Sequence, residues 1–127
     1  MAKQDQKASA AVGRAGEHLA LAHLSLAGYS CTLCQIKDHD AYIQTDTRTL
    51  TLQVKTASKT HKTSRSYAFH TPKKNVDVSD VFAFVSIDLG AVIFRRGDEL
   101  TSVTTYISPE EFIDEKQSMQ KTFDSFK

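Results

Sequence analysis

Residues 8–27 read "ASAAVGRAGEHLALAHLSLA", a run rich in Ala and Leu with no Pro. Val12, Ala15, Leu19, Ala22 and Leu26 recur at spacings of three and four, the period of one helix face, and Gly28 stands where a helix end favours glycine. Leu21 and Leu24 add a second apolar line, so the predicted helix is covered on more than one side. After Gly28 the period shortens to two. "YSCTLCQI" predicts a strand, and "DHDAYIQ" and "TLTLQVKTA", separated by the polar "TDTR", predict a β-hairpin. "SRSYAFHT" predicts another strand, and "VFAFVSIDL" and "AVIFRR" predict two apolar strands joined at Gly90. "SPEEF" starts a final helix, with Ser108 as N-cap, Pro109 in the first position and acids in the first turn. Residues 1–8 are expected to be flexible.

Loop parity fixes the hairpin register. A turn centred on Asp46 and Thr47, with two or four loop residues, sets Ile43 opposite Leu50 and Ala41 opposite Leu52, whereas an odd loop would set polar against apolar. The same register sets Asp40 opposite Gln53 and Asp38 opposite Lys55 on the other face. Opposed residues have Cβ atoms about 4.5–5.5 Å apart, close enough for a carboxylate and an amide oxygen to share one cation. Hard oxygens of this kind suit Mg²⁺ or Mn²⁺ better than zinc. Taken alone, these four residues equally suit a solvated strand face.

Two glycines interrupt the first helix. Gly13 and Gly16 each cost about 1 kcal/mol relative to Ala, which points to close backbone approach or a frayed first turn. Glu17 follows directly, with Leu21 and Leu24 four and seven residues on, and a carboxylate on a partly apolar face needs a reason.

Composition narrows the class. The chain has 127 residues, which suits one domain over 1–127, and no repeat, low-complexity tract or linker divides it. No segment approaches the roughly 18 apolar residues of a membrane span, and the N-terminus lacks the apolar run of a secretory signal. A soluble, cytoplasmic protein is the expectation. Cys31 and Cys34 form a lone C-x-x-C pair with strand-like flanks, read as two reduced thiols. The net charge of +1 decides nothing, but its distribution is uneven. Between Lys55 and Val76 lie Lys59, Lys62, Arg65, Lys73 and Lys74 with no Asp or Glu, while acids outnumber bases from Asp98 onward. One stretch is suited to an anion and the other is not.

A helix bearing Glu17, a strand bearing Asp40 and a strand bearing Gln53-Val54-Lys55 follow one another in the order of the PD-(D/E)xK nuclease superfamily, which the chain resembles. More narrowly, "GRAGEHLALAHLSLAGYS", "HDAYI", "LQVKTAS" and "VSDVFAFVSID" resemble the small group I intron homing endonucleases of that superfamily, with archaeal Holliday junction resolvases as a more distant likeness. Two positions depart from the pattern: His39 replaces the usual Pro before the Asp, and Gln53 replaces the usual acid.

The resemblance implies an α/β (α+β) fold, a restriction-endonuclease-like core with a central mixed β-sheet flanked by an N-terminal and a C-terminal helix. It implies a Mg²⁺-dependent DNA endonuclease, with Mn²⁺ able to substitute. Asp40, Gln53 and the Val54 backbone carbonyl would hold the metal, Glu17 would complete the shell directly or through water, and Lys55 would act on the attacking water. Lys59, Lys62, Arg65, Lys73 and Lys74 would grip the DNA backbone. One site per chain implies a homo-oligomer, a dimer or higher, for cutting both strands. The alternatives are a junction resolvase or defence nuclease of the same superfamily, or an inactive nuclease-fold protein that only binds nucleic acid.

Overall fold

The computed structural model describes residues 2–36, 39–60, 65–71 and 79–127. The first helix, α1, spans Ala2–Leu26, starting earlier than the expected residue 8, and the chain leaves it through Gly28 at a φ of 98°. Five strands form one sheet: β1 (Ser30–Ile36), β2 (His39–Gln44), β3 (Thr49–Ala57), β5 (Val81–Ser86) and β6 (Ala91–Arg96), in the order β1-β2-β3-β5-β6. All neighbours are antiparallel except β3 and β5, which run parallel. A separate two-stranded ribbon pairs β4 (Tyr67–His70) with β7 (Thr104–Ile107). The C-terminal helix α2 (Glu115–Asp124) follows a 3₁₀ segment, Pro109–Asp114. The result is a mixed α+β molecule whose five-stranded mixed sheet is flanked by N- and C-terminal helices.

The hairpin takes the register that loop parity predicts, with Ala41 opposite Leu52 and Ile43 opposite Leu50. Its turn is closed by Thr45 and Arg48, whose backbones bond at 2.9 Å.

Other expectations shift. Within the strand expected over 64–71, β4 spans Tyr67–His70, β7 has no counterpart in the sequence reading, and the "SPEEF" helix begins as 3₁₀. Glu111 accounts for that last start, because its carboxylate accepts the Ser108 N–H at 2.9 Å while its own N–H donates to the Ser108 carbonyl at 3.1 Å. The second bond spans three residues, as 3₁₀ geometry requires.

Each face of the sheet has its own core. Val81, Ala83 and Val85 of β5 pack with Ala20, Leu24, Met119 and Phe123 on the helix side, while Phe82 and Phe84 pack with Tyr67, Phe69 and Ile107 under the ribbon. All six residues of β5 are therefore buried, which explains why "VFAFVS" shows no polar alternation. Burial of each such Phe contributes about 1.5–3 kcal/mol.

A polar clasp sets where β3 and β5 start alongside one another. The Asp80 carboxylate accepts the Thr51 N–H at 3.0 Å, and the Asp80 N–H donates to Thr51 Oγ1 at 2.9 Å. Between β3 and the parallel β5, the described residues include β4, which belongs to the ribbon.

Candidate active site

The β2–β3 ladder stops at Ala41–Leu52, although β3 continues to Ala57. The expected pairing of Asp40 with Gln53 is thus absent from the ladder. Instead the Asp40 side chain replaces a strand partner: its Oδ2 accepts the Val54 N–H at 2.7 Å. The N–H and C=O of one strand residue point to the same edge, so the Val54 carbonyl is directed to the side on which Asp40 lies.

Strand parity assigns the faces. Ala41, Leu52 and Val54 belong to the helix-side core, so Asp40, Gln53 and Lys55 share the opposite face. Beyond the end of the ladder a cleft of about 540 Å³ opens, lined by Glu17, Asp40, Gln53, Val54 and Lys55 among others. Glu17 lines it from α1 and Ala68 from β4. Glu17 of α1, Asp40 of β2, and Gln53 and Lys55 of β3 thus share one half-buried concavity.

Gly16 lets the helix come this close. A Cβ at Gly16 would lie 1.9 Å from Thr56 Oγ1 and 2.8 Å from Thr56 Cβ. Of the two explanations offered by the sequence, close approach therefore holds at Gly16, one residue from Glu17 on the helix and facing the neighbour of Lys55 on the strand. At Gly13 nothing lies within 4 Å of an added Cβ, and the residue lines the cleft wall.

Electrostatics separates the two charged strand residues. Burial lowers the proton affinity of Lys55 below that of an ordinary lysine, and the Asp40 charge partly opposes this. The cleft therefore holds an amine whose charge is costly beside a carboxylate that favours it.

The donors that could hold a cation are all oxygens: the Asp40 and Glu17 carboxylates, the Gln53 amide and the Val54 carbonyl. Among the described residues, no group of three or more His, Cys, Asp and Glu side chains comes together. The set fits a hard divalent ion such as Mg²⁺ or Mn²⁺, with two anionic and two neutral oxygens. A carboxylate has about four lone-pair positions, so the bond from Val54 leaves Asp40 able to bind a cation.

Of the residues expected to grip DNA, Lys59 and Arg65 are exposed on either side of residues 61–64. Lys62, Lys73 and Lys74, like Asp38, lie outside the described residues. Arg65 holds a φ of 56°, the one positive value on a non-glycine residue among those described. His39, in the position of the usual Pro, lies with its Nδ1 2.7 Å from the Oγ of buried Ser79. Cys31 and Cys34 are free thiols on β1, and burial pushes the Cys31 thiol up to about 11. Gly13 and Ala68 are among the cleft residues that the sequence reading left out of its site. The helix glycines were a signal for Gly13, and nothing marks Ala68.

No protein-family model matches the chain, and no curated protein matches it in sequence. Among solved structures, the chain is similar to a bacterial homing endonuclease, I-Ssp6803I, with a TM-score of 0.67 over 89% of this chain and 95% of that one, at 11% identity. At that identity the likeness is one of fold.

Proposed function

We propose that the protein is a metal-dependent DNA endonuclease of the PD-(D/E)xK type, in a Q-x-K variant, and akin to homing endonucleases. The observation that supports it is the convergence of Glu17, Asp40, Gln53, the Val54 backbone and Lys55 on one cleft where β2 parts from β3. The fold likeness to a homing endonuclease agrees with DNA as the substrate.

Asp40, Gln53, the Val54 carbonyl and Glu17 would hold Mg²⁺ or Mn²⁺. Such an ion, when bound, polarises a phosphoryl oxygen and acidifies a water. Hydrolysis forms a bond from water oxygen to phosphorus and breaks an ester bond, so one proton must leave the water and another must reach the departing oxygen. Lys55 orients the attacking water and offers its N–H groups to the charge that builds on phosphorus. The neutral amide of Gln53 would contribute a dipole where Glu would contribute a charge, so metal binding would lean on a DNA phosphate as a further ligand. Each chain carries one such cleft, and a double-strand cut takes at least two copies.

The same amide favours one second reading, a nuclease-fold protein that binds DNA without cutting it. Incubating linear duplex, single-stranded and four-way-junction DNA with Mg²⁺ or Mn²⁺ separates the readings. Wild type is expected to cut at least one substrate, Asp40→Ala and Lys55→Ala to lose roughly 10²-fold or more in rate, and Gln53→Glu to reach half-maximal rate at lower metal. Cutting that survives both alanine substitutions would remove the assigned site. DNA binding indifferent to metal, with no cutting, would favour the binding protein. Preference for the junction would point to a resolvase.

A further inference from the structure

The ribbon formed by β4 and β7 has one anchored face and one open face. Tyr67, Phe69, Thr105 and Ile107 are buried beneath it, with Tyr67 edge-on to Phe112 and Phe69 edge-on to Phe84. Its end is closed by Thr71, whose N–H donates to the Val103 carbonyl at 2.7 Å and whose hydroxyl donates to the Ser102 carbonyl at 2.8 Å. The opposite face carries the cross-strand pairs Ala68–Tyr106 and His70–Thr104. His70 is exposed, and Tyr106 is 59% exposed, far more than a structural aromatic requires.

Resting on the endonuclease reading, we infer that this open face is the DNA-reading element, a two-stranded ribbon that enters the major groove and contacts base edges. Continuity supports it, because Ala68 lines the same cleft as Asp40 and Lys55, so DNA seated in the cleft runs onto the ribbon. Charge supports it as well. No Asp or Glu occurs in residues 47–76 or 100–109, which contain both strands, and Lys59 and Arg65 precede β4 in the chain. Size also agrees: a two-stranded ribbon fits a groove about 12 Å wide. The side chains suit the task, since Ala68 and the Thr104 methyl match a thymine methyl, and His70, Thr104 and Tyr106 supply donors and acceptors. Anchoring by the aromatic core holds these side chains in place.

The test is selection from a pool of duplexes with a randomised centre, bound in Ca²⁺, comparing wild type with a His70→Ala, Tyr106→Ala double variant. Nicking of supercoiled plasmid in Mn²⁺ and a thermal melt are read alongside. Wild type is expected to enrich a motif, with a preference of roughly ten- to hundredfold per contacted base pair. Guanine N7 in that motif should be protected from dimethyl sulfate. The double variant is expected to keep its melt and to enrich no motif. An unchanged motif in the variant, a wild type that binds without sequence preference, or protection confined to adenine N3 would each overturn the inference while leaving the endonuclease reading intact. A wild type that neither binds nor cuts DNA removes that reading and the inference with it. Should the alanine pair melt early, Thr104→Val with Tyr106→Phe removes only the hydroxyls and faces the same outcomes.

Discussion

Lys55 carries a charge where burial opposes one, and that conflict gives its role a measurable signature. Because the folded state lowers its pKa, the unfolded chain binds more protons between that lowered value and about 10.4, the reference value for lysine. Stability therefore rises with pH across that window, and below it the full cost of the buried charge is carried. Lys55→Met removes the cost. It is expected to raise the melting temperature at pH 7, by a margin that shrinks as the pH approaches 10.4, while cutting DNA cleavage by roughly 10²-fold or more. Thermal melts across pH, with cleavage assays on the same samples, check both halves; a variant less stable at pH 7 would show that the ammonium supports the fold. The carboxylate partner was legible only in part. Loop parity named Asp40, Gln53 and Lys55 as one face, but it could not reveal that Asp40 would leave the ladder and bond the Val54 N–H, since a side chain replacing a strand partner leaves no periodic trace.

At the scale of elements, the approach of α1 to β3 depends on a single missing Cβ. Gly16→Ala would press a methyl into Thr56, and overpacking of this kind costs about 1–3 kcal/mol, more than the helix gains by replacing glycine. Gly13→Ala meets nothing within 4 Å and gains helix propensity, an expected stabilisation of up to about 1 kcal/mol. Urea unfolding of the two variants should therefore move the midpoint in opposite directions. Gly16→Ala should also slow cleavage, because a helix pushed outward carries Glu17 with it. Equal shifts for the two would mean that the helix yields without strain. These glycines also show what a single sequence can reveal about elements. Helix period and hairpin register are local and were readable, whereas β7 is four residues long and only Thr105 and Ile107 turn inward, so its identity comes from pairing with β4 some 35 residues away. The parallel β3–β5 pair is hidden for the same reason: its partners meet only after the crossover.

Over the whole molecule, a net charge of +1 conceals a separation of sign. Lys59 and Arg65 adjoin the cleft-forming strand and the ribbon, while Glu110, Glu111, Asp114 and Glu115 lie in the 3₁₀ segment and the start of α2, whose Met119 and Phe123 pack on the helix-side core. If the protein acts on DNA as proposed, the basic residues beside the cleft would meet the phosphates first. Each basic residue that meets a phosphate contributes about 0.9 to the slope of log affinity against log salt. Lys59→Ala and Arg65→Ala are each expected to reduce that slope by about one and to weaken binding of random duplexes uniformly. Lys121→Ala, on exposed α2, removes the same charge from the opposite layer and should leave the slope unchanged. Fluorescence anisotropy with a labelled random duplex between about 50 and 200 mM salt reads all three, and a slope that falls equally for Lys121→Ala would mean that binding follows net charge and that DNA has no preferred face.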